Sequence, residues 1–116
     1  MTLLWRWLLA YSLTQVVEVP IYLAATRGRS WRRRVWIAVM ASTITHPLVW
    51  WLGVVIRPHT PYLTYVLIAE SFAVTVEALW LRHHGVRQAF WWALTANAAS
   101  VGVHFNWLWL RAVMDW

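Results

Sequence analysis

Residues 69–81 read AESFAVTVEALWL, an apolar run interrupted by two carboxylates, Glu70 and Glu77, and two small hydroxyl residues. Seven residues make almost two turns of α-helix, so both carboxylates fall on one face, about 10 Å apart along the axis. The chain has four acidic residues. Three of them, Glu18, Glu70 and Glu77, lie in hydrophobic stretches long enough to cross a bilayer. An ionisable group there costs at least about 2.5 kcal/mol unless it is paired or hydrated. Such residues are expected to turn inward, toward a polar site between helices.

Composition points the same way. With 61% hydrophobic and 12% charged residues and a positive mean hydropathy, the chain reads as a polytopic membrane protein rather than a soluble domain. The 116 residues suffice for four short-looped spans. The absence of cysteine excludes disulfides, thiolate metal sites and cysteine catalysis. All ten basic residues are arginines at segment ends, and the net charge is +6. That charge reads as topology and contact with anionic lipid head groups, with no nucleic-acid partner expected. The opening MTLLWRWLLAYSLTQVVEV lacks both a basic start and an A-x-A-type cleavage site. Its apolar run continues to about Ala25, so a retained helix is expected.

The expected fold class is all-α: a single domain over residues 1–116, with four transmembrane helices in a bundle of two hairpins. The spans are expected near 3–25, 35–56, 63–81 and 89–110. Loops 27–34 and 82–87 carry arginines and are expected on the cytoplasmic side of a plasma membrane of the bacterial inner-membrane type. Both termini then lie on the non-cytoplasmic side. The tryptophans form two belts: Trp5, Trp7, Trp50, Trp51, Trp107, Trp109 and Trp116 toward the outside, and Trp31, Trp36, Trp80, Trp91 and Trp92 toward the inside. Amphipathic rings at both interfaces explain them.

Each span carries a polar stripe. In the first, Tyr11, Gln15, Glu18 and Tyr22 recur at helical spacing. Pro20 cannot donate to the carbonyl of Val16, so a break with freed backbone beside Glu18 is expected. In the second, Ser42 and His46 share a face with Thr43 beside it, and Pro47 frees the carbonyl of Thr43. In the third, Glu70 lies at middle depth with no nearby exit, while Glu77 lies close enough to the inner edge to meet Arg82. In the fourth, Asn97, Ser100 and His104 follow spacings of three and four, and Gly102 with the ANAAS run allows close backbone approach. His59, His83 and His84 read as solvated or interfacial.

A weak repeat relates the halves. Val17-Glu18 and Val76-Glu77 each precede an apolar run, a glycine-containing arginine loop and a helix with a mid-span polar cluster. Two hairpins related by an axis along the membrane normal, with the polar site at their interface, follow from it.

Facing one another, these stripes would gather Glu18, His46, Glu70, Glu77 and Asn97, supported by Gln15, Ser42, Thr43, Ser100 and His104. Oxygen ligands with one nitrogen suit a proton relay or a divalent metal as cofactor, and a pigment or quinone pocket among the tryptophans is left open. The leading expectation is a cation site, for a proton or divalent metal, used in transport or coupling. Four helices are few for a complete path, so a homo-oligomer or other membrane subunits are expected as partners, beside membrane lipids. Two alternatives stand beside it. One is an accessory subunit of a membrane complex, its polar residues acting as interhelical glue. The other is an intramembrane hydrolase, whose residue types are similar to those of the glutamate-dependent CAAX-type membrane proteases, although their paired adjacent glutamates followed by arginine are absent here.

Overall fold

The computed structural model describes the backbone of residues 3–114 and the side chains of residues 4–106. Four helices follow in order: α1 (Leu3–Ala25), α2 (Trp31–Ile56), α3 (Tyr62–His83) and α4 (Ala89–Met114), with a 3-10 turn over Arg57–His59 between α2 and α3. The all-helical expectation holds, with boundaries shifted outward. α2 begins four residues before its expected span because Ser30 caps it, its hydroxyl accepting from the Arg33 amide at 3.4 Å. The arginines at 32–34 therefore belong to the helix, although they are too polar for a hydrophobic span.

The end of α3 is fixed by its sequence. Gly85, at φ +77°, donates to the Arg82 carbonyl, and the Val86 amide donates to the Leu81 carbonyl. This is a Schellman cap, which needs a residue in the left-handed region. Leu81 and Val86 are both buried, the apolar contact that accompanies such a cap. Neither Pro20 nor Pro47 interrupts its helix, so the break expected beside Glu18 is absent.

α1 packs on α2 and α4, and α3 packs on α2 and α4. The helices thus form a four-membered ring of two hairpins. Its interior is lined by small residues, with Ala38, Ala41, Ala69, Ala73, Ala93 and Ala96 all buried, together with Tyr22, Ile37 and Leu81. Large apolar residues face outward instead: Val16, Leu63, Leu67 and Trp91 are 60–72% exposed. A core of alanines permits close helix approach without a large hydrophobic interior, an arrangement suited to lipid surroundings. Three helical stretches, Leu4–Ala25, Trp31–His59 and Tyr62–His83, are long and apolar enough to cross a membrane. Gly102, expected at a close approach, has open space around it, so the seam of α4 is made by its alanines.

Trp31, Trp36 and Trp91 of the inner belt and Trp5 and Trp51 of the outer belt are exposed. Trp80 turns inward, its indole donating to the Ile37 carbonyl at 3.0 Å. Trp107, Trp109 and Trp116 lie outside the described side chains.

A buried carboxylate pair as candidate functional site

Glu18 on α1 and Glu77 on α3 come together in the middle of the ring, each 1% exposed. Their donors are one helical turn apart on α2, Ser42 and Thr45, and on α4, Asn97 and Ser100, so the two carboxyl groups sit side by side. Each receives one donor from α2 and one from α4. Glu18 accepts from the Ser42 hydroxyl at Oε1 and from the Ser100 hydroxyl at Oε2, both at 2.7 Å. Glu77 accepts from the Thr45 hydroxyl at Oε2, 2.8 Å, and from the Asn97 amide at Oε1, 3.3 Å. A fifth bond is unique to Glu77, from the Tyr22 hydroxyl at 2.5 Å. All five donors are neutral.

The pattern has internal symmetry. Ser42 and Thr45 are three apart on α2, as Asn97 and Ser100 are on α4, and the first member of each pair serves the glutamate of its own hairpin. Ser42 bonds Glu18 and Asn97 bonds Glu77, while Thr45 and Ser100 reach across to the other hairpin. Exchanging the hairpins therefore maps four of the five bonds onto one another. Tyr22 breaks the match: four residues after Glu18, its counterpart four after Glu77 is Leu81, and both are fully buried.

Of the expected site residues, the structure joins Glu18, Ser42, Glu77, Asn97 and Ser100, and separates the others. Glu77 is central and does not use Arg82; all its hydrogen-bond partners are neutral. Glu70, expected at the centre, instead lines a cleft of about 510 Å³ between α3 and α4, flanked by Leu67, Val74, Phe90 and Leu94. Its Oε2 is buried without a hydrogen-bond partner. Asn97 borders the same cleft and bonds Glu77, so one side chain separates the cleft from the pair. Helical geometry explains the separation: seven residues bring Glu70 and Glu77 to one face but leave them almost two turns apart.

Gln15 and Thr43 form a second polar cluster between α1 and α2. Gln15 donates to the Tyr11 hydroxyl at 2.8 Å and to the Val39 carbonyl and Thr43 hydroxyl at 3.2 Å, and the Tyr11 and Thr43 hydroxyls are 2.7 Å apart. His46 lies among the rings of Trp7, Tyr11 and Trp50, with centroids at 5.4, 5.4 and 6.4 Å, and its Nε2 is buried without a partner. His104 is exposed beside Phe105. Among the described residues, no three histidine, aspartate or glutamate side chains are grouped to hold a metal ion.

Two members of the cluster escaped the sequence reading. Thr45 carried a signal, its i, i+3 relation to Ser42. Tyr22 was visible as the last residue of the α1 stripe, but its bond partner on α3 was not. No protein family, curated protein or solved structure matches this chain.

Proposed function

We propose that the chain is a four-span integral membrane protein whose Glu18–Glu77 pair binds and exchanges a proton. The arginine loops 27–34 and 82–87 face the cytoplasm in this reading, with both termini on the opposite side. One observation carries the assignment: two adjacent carboxylates sit in a sealed, low-dielectric core with only neutral donors around them. Two negative charges in such a place repel strongly, so the pair keeps a shared proton or recruits a cation. A proton is preferred to a divalent metal because the described residues supply no third carboxylate or imidazole at the pair.

Glu70 fits the role of access carboxylate. It stands in the α3–α4 cleft, and Asn97 links that cleft to Glu77. Passage across the whole membrane would need a second copy or other subunits, since the pair itself is sealed.

The test uses the full chain in proteoliposomes. Infrared spectra over a pH series should contain a protonated-carboxyl band that disappears in the Glu18→Gln/Glu77→Gln double variant. A trapped pH dye should report proton entry under an imposed potential, slowed in Glu70→Gln and abolished in Glu77→Gln. A wild type with no such band and with the leak of empty vesicles would overturn the proposal. That outcome leaves the second reading, an accessory subunit, which the completeness of the bond set favours: each oxygen of the two carboxylates already has a donor.

A further inference from the structure

The two arginine loops meet at one end of the bundle, and a cavity of about 440 Å³ opens between them. Arg27 and Arg29 line it from the first loop, Arg87 and Gln88 from the second, and Trp92 from the first turns of α4. Its volume falls in the range of small-ligand sites, about 300–1,000 Å³. No acidic residue lines it.

Three features give this cavity its chemistry. The first is the state of the guanidinium groups. Arg29 bridges the loops through a 3.1 Å bond from Nη2 to the His84 carbonyl, which fixes its position and leaves other N–H groups to spare. Arg27 and Arg87 have no hydrogen-bond or ion-pair partner among the described residues. Three cations thus share a pocket with nothing to neutralise them, a repulsion that a bound anion relieves.

The second is the backbone. Gln88 adopts φ +56°, a conformation that non-glycine residues seldom hold and that tends to be kept at ligand sites. α4 starts immediately after it, at Ala89. The cavity therefore borders the positive end of a 26-residue helix, whose first N–H groups have no carbonyl within the helix.

The third is location. Exposed Trp31 and Trp91 and partly buried Trp92 occupy this end of the bundle, the belt where phosphate head groups meet an embedded helix.

We infer that this cavity is a phosphate-binding site, taking the phosphate of an anionic lipid head group or of a soluble phosphate ester. Arginine forks favour phosphate because they donate paired bonds to its oxygens, and a helix N-terminus suits the same ligand. The lipid source rests on the membrane-spanning reading; the phosphate chemistry does not, and neither depends on the carboxylate pair.

The experiment compares Arg27→Gln/Arg87→Gln with Arg32→Gln/Arg33→Gln, an equal loss of charge at exposed positions outside the cavity. The full chain is placed in phosphatidylcholine nanodiscs. Retention of added phosphatidylglycerol is read by native mass spectrometry, and binding of glycerol 3-phosphate by calorimetry. Removal of the two cavity arginines should weaken binding at least about tenfold, and the control pair by less than about threefold. Circular dichroism checks that each variant stays helical, and Arg87→Lys, which keeps the charge, should lose part of the affinity if the fork matters. Binding of the lipid alone identifies a head-group site; binding of glycerol 3-phosphate identifies a soluble ester. Equal losses in the two double variants, or no binding of either probe by the wild type, would refute the site.

Discussion

Truncation of Glu77 to alanine should cost the bundle about 3–5 kcal/mol, the range for removing one partner of a buried polar set. The structure shows where that cost arises. Three donors lose their acceptor, but they do not suffer equally. Thr45 can turn its hydroxyl to the Ala41 or Ser42 carbonyl, at 3.2 and 3.3 Å, and Asn97 keeps its 2.8 Å bond to the Ala93 carbonyl. Tyr22 has no such fallback: among the described residues Glu77 is the one acceptor of its hydroxyl proton, with Asn97 beside it as a donor, and the side chain is fully buried. An orphaned buried donor accounts for about 1–3 kcal/mol of the loss. Adding Tyr22→Phe to Glu77→Ala should therefore recover about that amount, although Tyr22→Phe alone destabilises the wild type. Glu77→Gln should stay within about 1 kcal/mol of wild type. Its amide oxygen can accept from Tyr22 and Asn97, and its NH₂ can donate to a rotated Thr45, leaving every partner satisfied. Equilibrium unfolding in mixed micelles, followed by far-ultraviolet circular dichroism, gives all four values. If Tyr22→Phe adds its own penalty on top of Glu77→Ala instead of offsetting it, the hydroxyl is not isolated as argued.

Ser42→Ala and Ser100→Ala should each destabilise by about 1.5–3 kcal/mol where Glu18 is ionised, and a loss below about 0.5 kcal/mol in both would show that Glu18 has other partners. His46→Phe should change stability by less than about 1.5 kcal/mol, as a volume-conserving swap within an aromatic cage, and should leave proton uptake intact; loss of uptake would return His46 to the site. His84 is held below the usual histidine range by partial burial first, then by His83, Arg33 and Arg29. An anion among Arg27, Arg29 and Arg87 should raise it. The bound form then carries more protons between the two values, so affinity should strengthen as pH falls through that window. A histidine NMR titration with phosphatidylglycerol, whose diester does not titrate there, checks this; an unmoved His84 resonance would contradict it.

The all-helical bundle was legible because the signal is compositional: long apolar stretches separated by arginine loops leave few alternatives. The inward turn of Glu18 and Asn97 was also legible, from the cost of facing them elsewhere. The relative rank of Glu70 and Glu77 was not. Counting residues from the span ends measures depth along one helix, whereas centrality depends on the level at which the other three helices place their donors and on which way a side chain points across the ring, and both are set by packing. Glu70 shares a face with Glu77 but lies almost two turns away along α3, at a level where that face borders the α3–α4 seam rather than the donors of α2 and α4. The same reasoning explains His46. Its depth looked suitable, but it shares a face with Trp50 and meets Trp7 and Tyr11 across the α1–α2 contact. Helix prolines misled for a different reason: one missing bond in a long helix need not break it when neighbours brace both sides.

The exchange of bonds between hairpins has a further meaning. A polypeptide half this long, coupled to a second copy of itself, would already reproduce every contact that the two glutamates receive from serine, threonine and asparagine positions. Joining the halves in one chain frees each to change separately, and Tyr22 opposite Leu81 is such a divergence. Because of it the two acids are no longer equivalent, and the proton exchange proposed for them would run over a directional rather than a two-fold symmetric landscape.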